Sequence, residues 1–230
     1  MTWAGTLAGN PDGGISLGQT RVVFLSTDKT QTLTVKNTGN RSWLIQSRIQ
    51  RGLEDTFAGP FMVTPPLFTL QPDSRQLLRI VSLGNTLPAD RESLFVLSVV
   101  AIPAAKLNAT ADRVQRQVSM GIRFTLKLFY RPTGLVSGVE TAACQLRFTA
   151  MPGGVRAENP TPYFQTLGQL MLNGTPINLN TQPSMLAPFG NQIYRTGTVG
   201  AVQADWQTVT DYGGLSDRCQ QTVSTIQETP

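Results

Sequence analysis

The sequence predicts an all-β protein made of two halves of similar β character. Short β-rich runs recur between turn signals along the whole chain, and no segment shows a long helical periodicity. The 230 residues include 21 Gly and 15 Pro, which suits a chain rich in turns. Apolar residues make up 40% of the sequence, enough for each half to bury a core of its own.

The first half carries runs with the length and composition of β-sandwich strands. Turn signals such as Asn37-Thr38-Gly39-Asn40 separate these runs, and Pro65-Pro66 predicts a further extended stretch. The predicted strands cover residues 22–25, 31–36, 43–50, 77–81 and 94–102. The last run is apolar on both alternations, as expected for the central strand of a sandwich.

The segment 113–126 alternates with a period of two that only Arg116 interrupts. One face of such a strand is apolar and the other is polar. The apolar face is formed by Val114, Val118, Met120, Ile122, Phe124 and Leu126. At roughly 3.3 Å per residue the segment would span more than about 40 Å, which is long for one strand. We therefore expect part of it to project beyond its own sheet.

A hinge signal, Pro132-Thr133-Gly134, separates the two halves and predicts domains at residues 1–132 and 133–230. Met151-Pro152-Gly153-Gly154 predicts a hairpin in the second half, and Asp211-Tyr212-Gly213-Gly214 predicts a turn before the last strand. The first and last predicted strands of this half carry Cys144 and Cys219. We expect a cross-strand or inter-sheet disulfide there, with two buried thiols as the alternative.

Composition argues against most catalytic chemistry. The chain has no His, so it lacks the commonest general base and the commonest metal ligand. Gly14-Ile15-Ser16-Leu17-Gly18 matches a nucleophile-elbow pattern, but without a His or a following helix it is interpreted as the entry to a strand. Two Cys alone cannot build a closed zinc site. We expect no enzyme activity, no metal and no cofactor.

The charge and hydropathy patterns weigh against nucleic acid and membrane partners. The net charge is +5, yet only 14% of residues are charged and no run of Lys and Arg reaches four. No apolar run approaches the 18 or so residues of a membrane span. The first residues lack a leader's basic and apolar regions, which predicts either a cytoplasmic protein or a mature form whose leader has been replaced by Met. The family resemblance described next favours the second.

Several segments, in order along nearly the whole chain, resemble one known family. They are Thr20-Arg21-Val22-Val23-Phe24, Thr64-Pro65-Pro66-Leu67-Phe68, Arg91-Glu92-Ser93-Leu94-Phe95, Ala101-Ile102-Pro103, Lys127-Leu128-Phe129-Tyr130-Arg131-Pro132, Ala157-Glu158-Asn159-Pro160-Thr161-Pro162-Tyr163 and Asp211-Tyr212-Gly213-Gly214. Together they resemble the periplasmic pilus chaperones of the chaperone–usher pathway.

The resemblance implies two immunoglobulin-like β-sandwich domains joined by a short hinge in an angled molecule. It implies a periplasmic chaperone that binds, folds and caps pilus (fimbrial) subunits by donor-strand complementation and delivers them to an outer-membrane usher. The loop before the alternating segment is of middling length with no flanking Cys, so we expect the short-loop class. The alternative function is a structural β-sandwich fibre subunit or adhesin, which would usually carry an N-terminal donor extension.

The resemblance also assigns roles to individual residues. Arg21 and Lys127 are expected to anchor the C-terminal carboxylate of the subunit. Glu92, Arg131 and Asp211 match positions of an interdomain salt-bridge network. The donor strand is expected to present Val118, Met120, Ile122 and Phe124.

Overall fold

A computed structural model describes residues 13–52, 59–84, 87–104, 120–136, 138–196 and 203–225. Packing divides the chain into two compact units. The first unit comprises the described residues of Met1–Phe24, Asp28–Thr86 and Leu94–Phe129, and the second those of Leu25–Thr27, Leu87–Ser93 and Tyr130–Pro230. The two units are therefore not separated at a single position in the sequence, because Leu25–Thr27 and Leu87–Ser93 belong to the second unit.

The strands before Pro132 form two sheets that enclose the first core. Their bounds are β1 Ile15–Leu17, β2 Arg21–Leu25, β3 Thr30–Asn37, β4 Trp43–Gln50, β5 Phe61–Thr64, β6 Leu67–Leu70, β7 Ser74–Ser82, β8 Ser93–Pro103 and β9 Ile122–Arg131. One sheet has the order β1-β3-β7-β5 and the other β2-β9-β8-β4-β6. The predicted central strand, β8, is confirmed in the middle of the five-stranded sheet. The segment Gly14–Gly18, interpreted as the entry to a strand, contains β1.

Alternating side chains of both sheets fill the space between them. Leu33, Ile45 and Leu97 are fully buried. Phe61 packs edge-to-face against Phe24 and Phe95, with ring centroids 5.1 Å apart in each pair. The core therefore contains residues from strands β2 to β8. Leu126 and Leu128 of β9 are buried as well, so this end of β9 is anchored by packing.

The predicted extended stretch at Pro65-Pro66 is wrong. The chain bends at these residues after a cis Thr64–Pro65 bond, and the strands on either side belong to different sheets. Pro contributes no N–H to a ladder, which suits a place where the chain leaves one sheet for the other.

The second unit is also a β-sandwich, preceded by a single helical turn. Its elements are α1 Val139–Ala142, β10 Arg147–Met151, β11 Gly154–Glu158, β12 Gln165–Leu172, β13 Thr175–Pro176, β14 Met185–Leu186, β15 Asn191–Arg195, β16 Gln203–Thr208, β17 Cys219–Thr222 and β18 Ser224–Thr225. The sheet orders are β15-β11-β10-β18 and β13-β12-β16-β17, with β14 paired to β12. The predicted hairpin is confirmed, since Met151 pairs with Gly154 across Pro152 and Gly153.

The disulfide between Cys144 and Cys219 is present, with a Cα–Cα distance of 5.3 Å, but its geometry differs from the prediction. Cys144 lies in a 3₁₀ turn, Ala143–Gln145, and not in a strand, whereas Cys219 begins β17. The bond therefore ties the turn that enters the second sandwich to a strand near its end. The indole N–H of Trp206 donates to the carbonyl of Ala143 at 2.8 Å and holds the same turn.

Candidate functional site

Strand β9 passes from the core to the surface along its own apolar face. Leu128 is fully buried and Leu126 is 4% exposed, whereas Ile122 is 42% exposed and Met120, just before the strand, is 78% exposed. Phe124, between them, is half-buried. These side chains share one face because strand residues alternate. Met120 and Ile122 of the predicted donor face are thus exposed, while Val118 lies outside the described residues. That this segment projects as a donor strand stays a prediction.

The first half of β9 has a free backbone edge within the part of the chain that the structure describes. One neighbour of β9 is the eleven-residue strand β8. The other neighbour, β2, has five residues against ten in β9. The amide of Ser26 donates to the carbonyl of Arg131 at 2.9 Å, so β2 runs beside the end of β9. An unpaired strand edge is a template for pairing with another chain.

Two cations lie where β2 runs beside β9. Arg21 begins β2 next to the buried Val22, and Lys127 lies on β9 between the buried Leu126 and Leu128. Both side chains are half-buried and point away from the core of their unit. Burial, together with the nearby charge of Arg21, lowers the pKa of Lys127. The structure therefore brings the two predicted anchor residues together.

An aromatic ring completes this group, and sequence reasoning missed it. The Cζ atom of Arg21 lies 5.8 Å from the centroid of the Phe129 ring, within the range of a cation–π contact. Phe129 follows Lys127 by two residues and shares its face of β9. The two-residue spacing in a predicted strand is the sequence signal that Phe129 lies beside Lys127. The family motif that contains Phe129 assigns it no role.

Arg131 joins the two acidic residues predicted to be its partners. Its Nε donates to Oε1 of Glu92 at 2.7 Å, and its terminal nitrogens donate to Oδ2 and Oδ1 of Asp211 at 2.7 and 2.9 Å. The ring of Tyr163 lies beneath the guanidinium at 5.2 Å. All of these residues belong to the second packing unit. The role between domains that the resemblance gives them stays a prediction.

Burial and charge oppose each other in this cluster. Burial raises the pKa of Glu92, although the charge of Arg131 and the amide of Phe164, which donates to Oε2 at 2.8 Å, act the other way. Burial also works against the charge of Arg131, but Asp211 and Glu92 together raise its pKa. Arg131 is therefore a permanent cation that holds two carboxylates in place.

The described residues contain no group of three His, Cys, Asp or Glu side chains that would hold a metal ion. Within the same residues, no helix is both long and apolar enough to cross a membrane.

Comparison with known proteins gives matches across both units. Residues 14–136 match a family model described as the pili and flagellar-assembly chaperone, PapD N-terminal domain, and residues 141–220 match the PapD C-terminal domain model. The chain is 34% identical over 223 residues to the chaperone protein FimC of Escherichia coli K12, covering 95% of this chain and 88% of that protein.

Solved structures agree with these matches. The E. coli chaperone DraB superposes with a TM-score of 0.80 at 31% identity, over 92% of this chain and 97% of DraB. A chain from the Salmonella enterica complex of the SafA pilin with the SafB chaperone superposes with a TM-score of 0.79 at 29% identity, over 91% of this chain and 96% of that one.

Proposed function

The chain belongs to the pilus-assembly chaperone family, and we propose that it captures an incomplete pilus subunit by lending it strand β9. The observation that carries the proposal is the first half of β9, where an open backbone edge coincides with the exposed Met120 and Ile122. The alternative of a fibre subunit is set aside, because the chain is similar over most of its length to chaperones.

The proposed mechanism is donor-strand complementation. A subunit that lacks its last strand exposes a groove between its sheets, and β9 lies in this groove as the missing strand. Main-chain hydrogen bonds along the open edge supply affinity, and Met120 and Ile122 enter successive pockets with Val118 and Phe124 on either side. Burying each such side chain contributes roughly 1.5–3 kcal/mol.

Arg21 and Lys127 would hold the C-terminal carboxylate of the subunit. A carboxylate offers two oxygens to the planar fork of Arg and to the compact charge of Lys. Burial and then the charge of Arg21 lower the pKa of Lys127, and an anion placed between the two cations offsets their repulsion. Fixing the carboxylate sets the register of pairing, and a slip of one residue would turn the apolar face of β9 away from the groove.

The partners follow from this function. The client is a pilus subunit, and the SafB relative supports this assignment because it was solved with a pilin. An outer-membrane usher receives the capped subunit. The place of action is the periplasm, an oxidising compartment in which the disulfide between Cys144 and Cys219 persists.

Co-expression with a pilin from the same organism tests the proposal. Wild-type chaperone should co-purify with the pilin as a 1:1 complex, and Arg21→Ala and Lys127→Ala should each lose about 2–5 kcal/mol of binding. Arg75→Ala is the matched control, since Arg75 is an exposed cation on β7 of the other sheet. Each variant is first shown to be folded by circular dichroism. Wild-type capture by both anchor variants would overturn the proposal.

A further inference from the structure

We propose that Phe129 is a positioning residue that holds the guanidinium of Arg21 in place for the terminal carboxylate of the client. The inference rests on the proposed function of Arg21 and Lys127 and adds a third member to that site. Phe129 does not touch the carboxylate in this proposal, because it acts through Arg21.

The position of the ring is fixed by the fold. Phe129 is 3% exposed although it lies on the face of β9 that points away from the core, so both faces of the strand are covered at this end. Arg21 begins the neighbouring strand β2, and its Cζ lies 5.8 Å from the ring centroid. A buried ring of this kind keeps one orientation, and the guanidinium that lies over it is restricted in turn.

The electrostatic need for such a support comes from Lys127. Arg21 and Lys127 are close enough for their charges to interact, and two like charges on flexible side chains separate when nothing opposes the repulsion. The face of an aromatic ring carries partial negative charge and attracts a guanidinium. Phe129 therefore keeps Arg21 beside Lys127 in the empty protein, so that a client finds the two cations already assembled.

A ring suits this task better than a carboxylate would. A carboxylate next to Arg21 would neutralise it and compete with the client for the same N–H groups, as Glu92 and Asp211 engage Arg131. An aromatic ring carries no net charge and accepts no strong hydrogen bond. It attracts the cation through its electron-rich face and leaves the site positively charged. Pre-assembly of this kind increases affinity by lowering the cost of ordering the site on binding.

The test uses two peptides of about ten residues with alternating apolar and polar side chains, one ending in a free carboxylate and one in an amide. Wild-type chaperone should bind the carboxylate form more tightly. Phe129→Leu should weaken binding of the carboxylate peptide about three- to tenfold and leave binding of the amide peptide unchanged. Phe129→Tyr keeps the ring and should retain the wild-type preference.

A double-mutant cycle tests whether Phe129 acts through Arg21. In an Arg21→Ala background, Phe129→Leu should cause no further loss of carboxylate binding. Ring-current shifts of the Arg21 side-chain protons, measured by NMR on the wild-type protein, check the contact without any variant.

The outcomes separate this inference from the proposed function. If Phe129→Leu weakens both peptides equally, or if Arg21 shows no ring-current shift, Phe129 is a packing residue and the inference is overturned. The proposed anchor survives that result as long as the wild-type protein prefers the carboxylate peptide. If the wild-type protein does not distinguish the two peptides, the anchor itself is wrong and the inference is overturned with it.

Discussion

Arg131 binds the carboxylate of Asp211 with both terminal nitrogens, at 2.7 and 2.9 Å, while its Nε donates to Glu92 at 2.7 Å. The side chain of Glu92 is 2% exposed and that of Asp211 is 31% exposed. A buried ion pair of this geometry is costly to break because one charge is left without its partner. The two carboxylates therefore differ in how strongly they depend on Arg131.

Replacing Arg131 with Ala should destabilise the protein by about 3–5 kcal/mol, because the buried charge of Glu92 is left uncompensated. Glu92→Gln should cost less, about 1–3 kcal/mol, since its amide oxygen can accept from only one of the two donors, Arg131 and Phe164, and the other buried donor is left without an acceptor. Urea unfolding followed by the fluorescence of the buried Trp206 measures both changes.

The double variant provides the control for this prediction. Glu92→Gln combined with Arg131→Ala should be more stable than Arg131→Ala alone, because the uncompensated charge is then absent. A double variant that is less stable than Arg131→Ala would show that the cluster acts through packing and not through charge.

Local patterns predicted the elements that depend on local geometry. The alternation of the sequence predicted the apolar face that Ile122, Phe124 and Leu126 share on β9. Pro152-Gly153 predicted the hairpin, in which Gly153 adopts a φ of 79°. The four-residue helix Val139–Ala142 is too short to show a periodicity, so Cys144 was placed in a strand. A helical periodicity can be recognised only over two or more turns, and this helix has a single turn.

The site depends on contacts that no local pattern encodes. The partners of Arg131 lie 39 and 80 positions away in sequence, and the family resemblance supplied them where composition and spacing did not. The ring of Phe129 beneath Arg21 was missed for a related reason. Alternation predicts which face a residue occupies, but whether that face is covered depends on the neighbouring strand.

Tyr194 should make the protein sensitive to alkaline pH. Its ring is fully buried and its hydroxyl donates to the carbonyl of Pro183 at 2.9 Å. Burial raises the pKa of Tyr194 to about 12 from an ordinary value of 10.0. Between these values the unfolded chain has released the proton and the folded protein retains it, so stability is lost as the pH rises from 10 to 12.

The loss should amount to about 2 kcal/mol over that window. Tyr194→Phe should be about 1 kcal/mol less stable at neutral pH, because the carbonyl of Pro183 loses its donor. The same variant should have a shallower alkaline slope than the wild-type protein when urea unfolding is measured as a function of pH; the slope that remains includes Tyr163, whose pKa burial also raises. An equal slope in the wild-type protein and in Tyr194→Phe would contradict the prediction.

Lys127 should make client binding depend on pH. Burial and the charge of Arg21 lower its pKa in the empty site, and a bound carboxylate raises it again. Between the two values binding takes up a proton, so affinity for a free-carboxylate peptide should fall as the pH rises through this window. Calorimetry in buffers of different ionisation enthalpy measures the proton uptake.

Lys127→Arg is the matched variant for this experiment. It keeps the positive charge but does not lose its proton in the accessible range, so the proton uptake should disappear. Equal uptake in the wild-type protein and in Lys127→Arg would assign the proton to another group. No uptake by the wild-type protein would mean that the carboxylate does not bind next to Lys127.

Aspartate substitutions along one face of β9 should separate client binding from folding. Met120 is 78% exposed and Leu126, on the same face, is 4% exposed. Met120→Asp should leave the protein folded and lower pilin capture about ten- to hundredfold, because a pocket loses an apolar side chain and receives a charge. Leu126→Asp should unfold the first unit, since a carboxylate in that core has no partner.

Circular dichroism reports folding, and co-purification with the pilin reports capture. If Met120→Asp unfolds the protein as Leu126→Asp does, Met120 belongs to the core of the chaperone and β9 does not project as a donor strand.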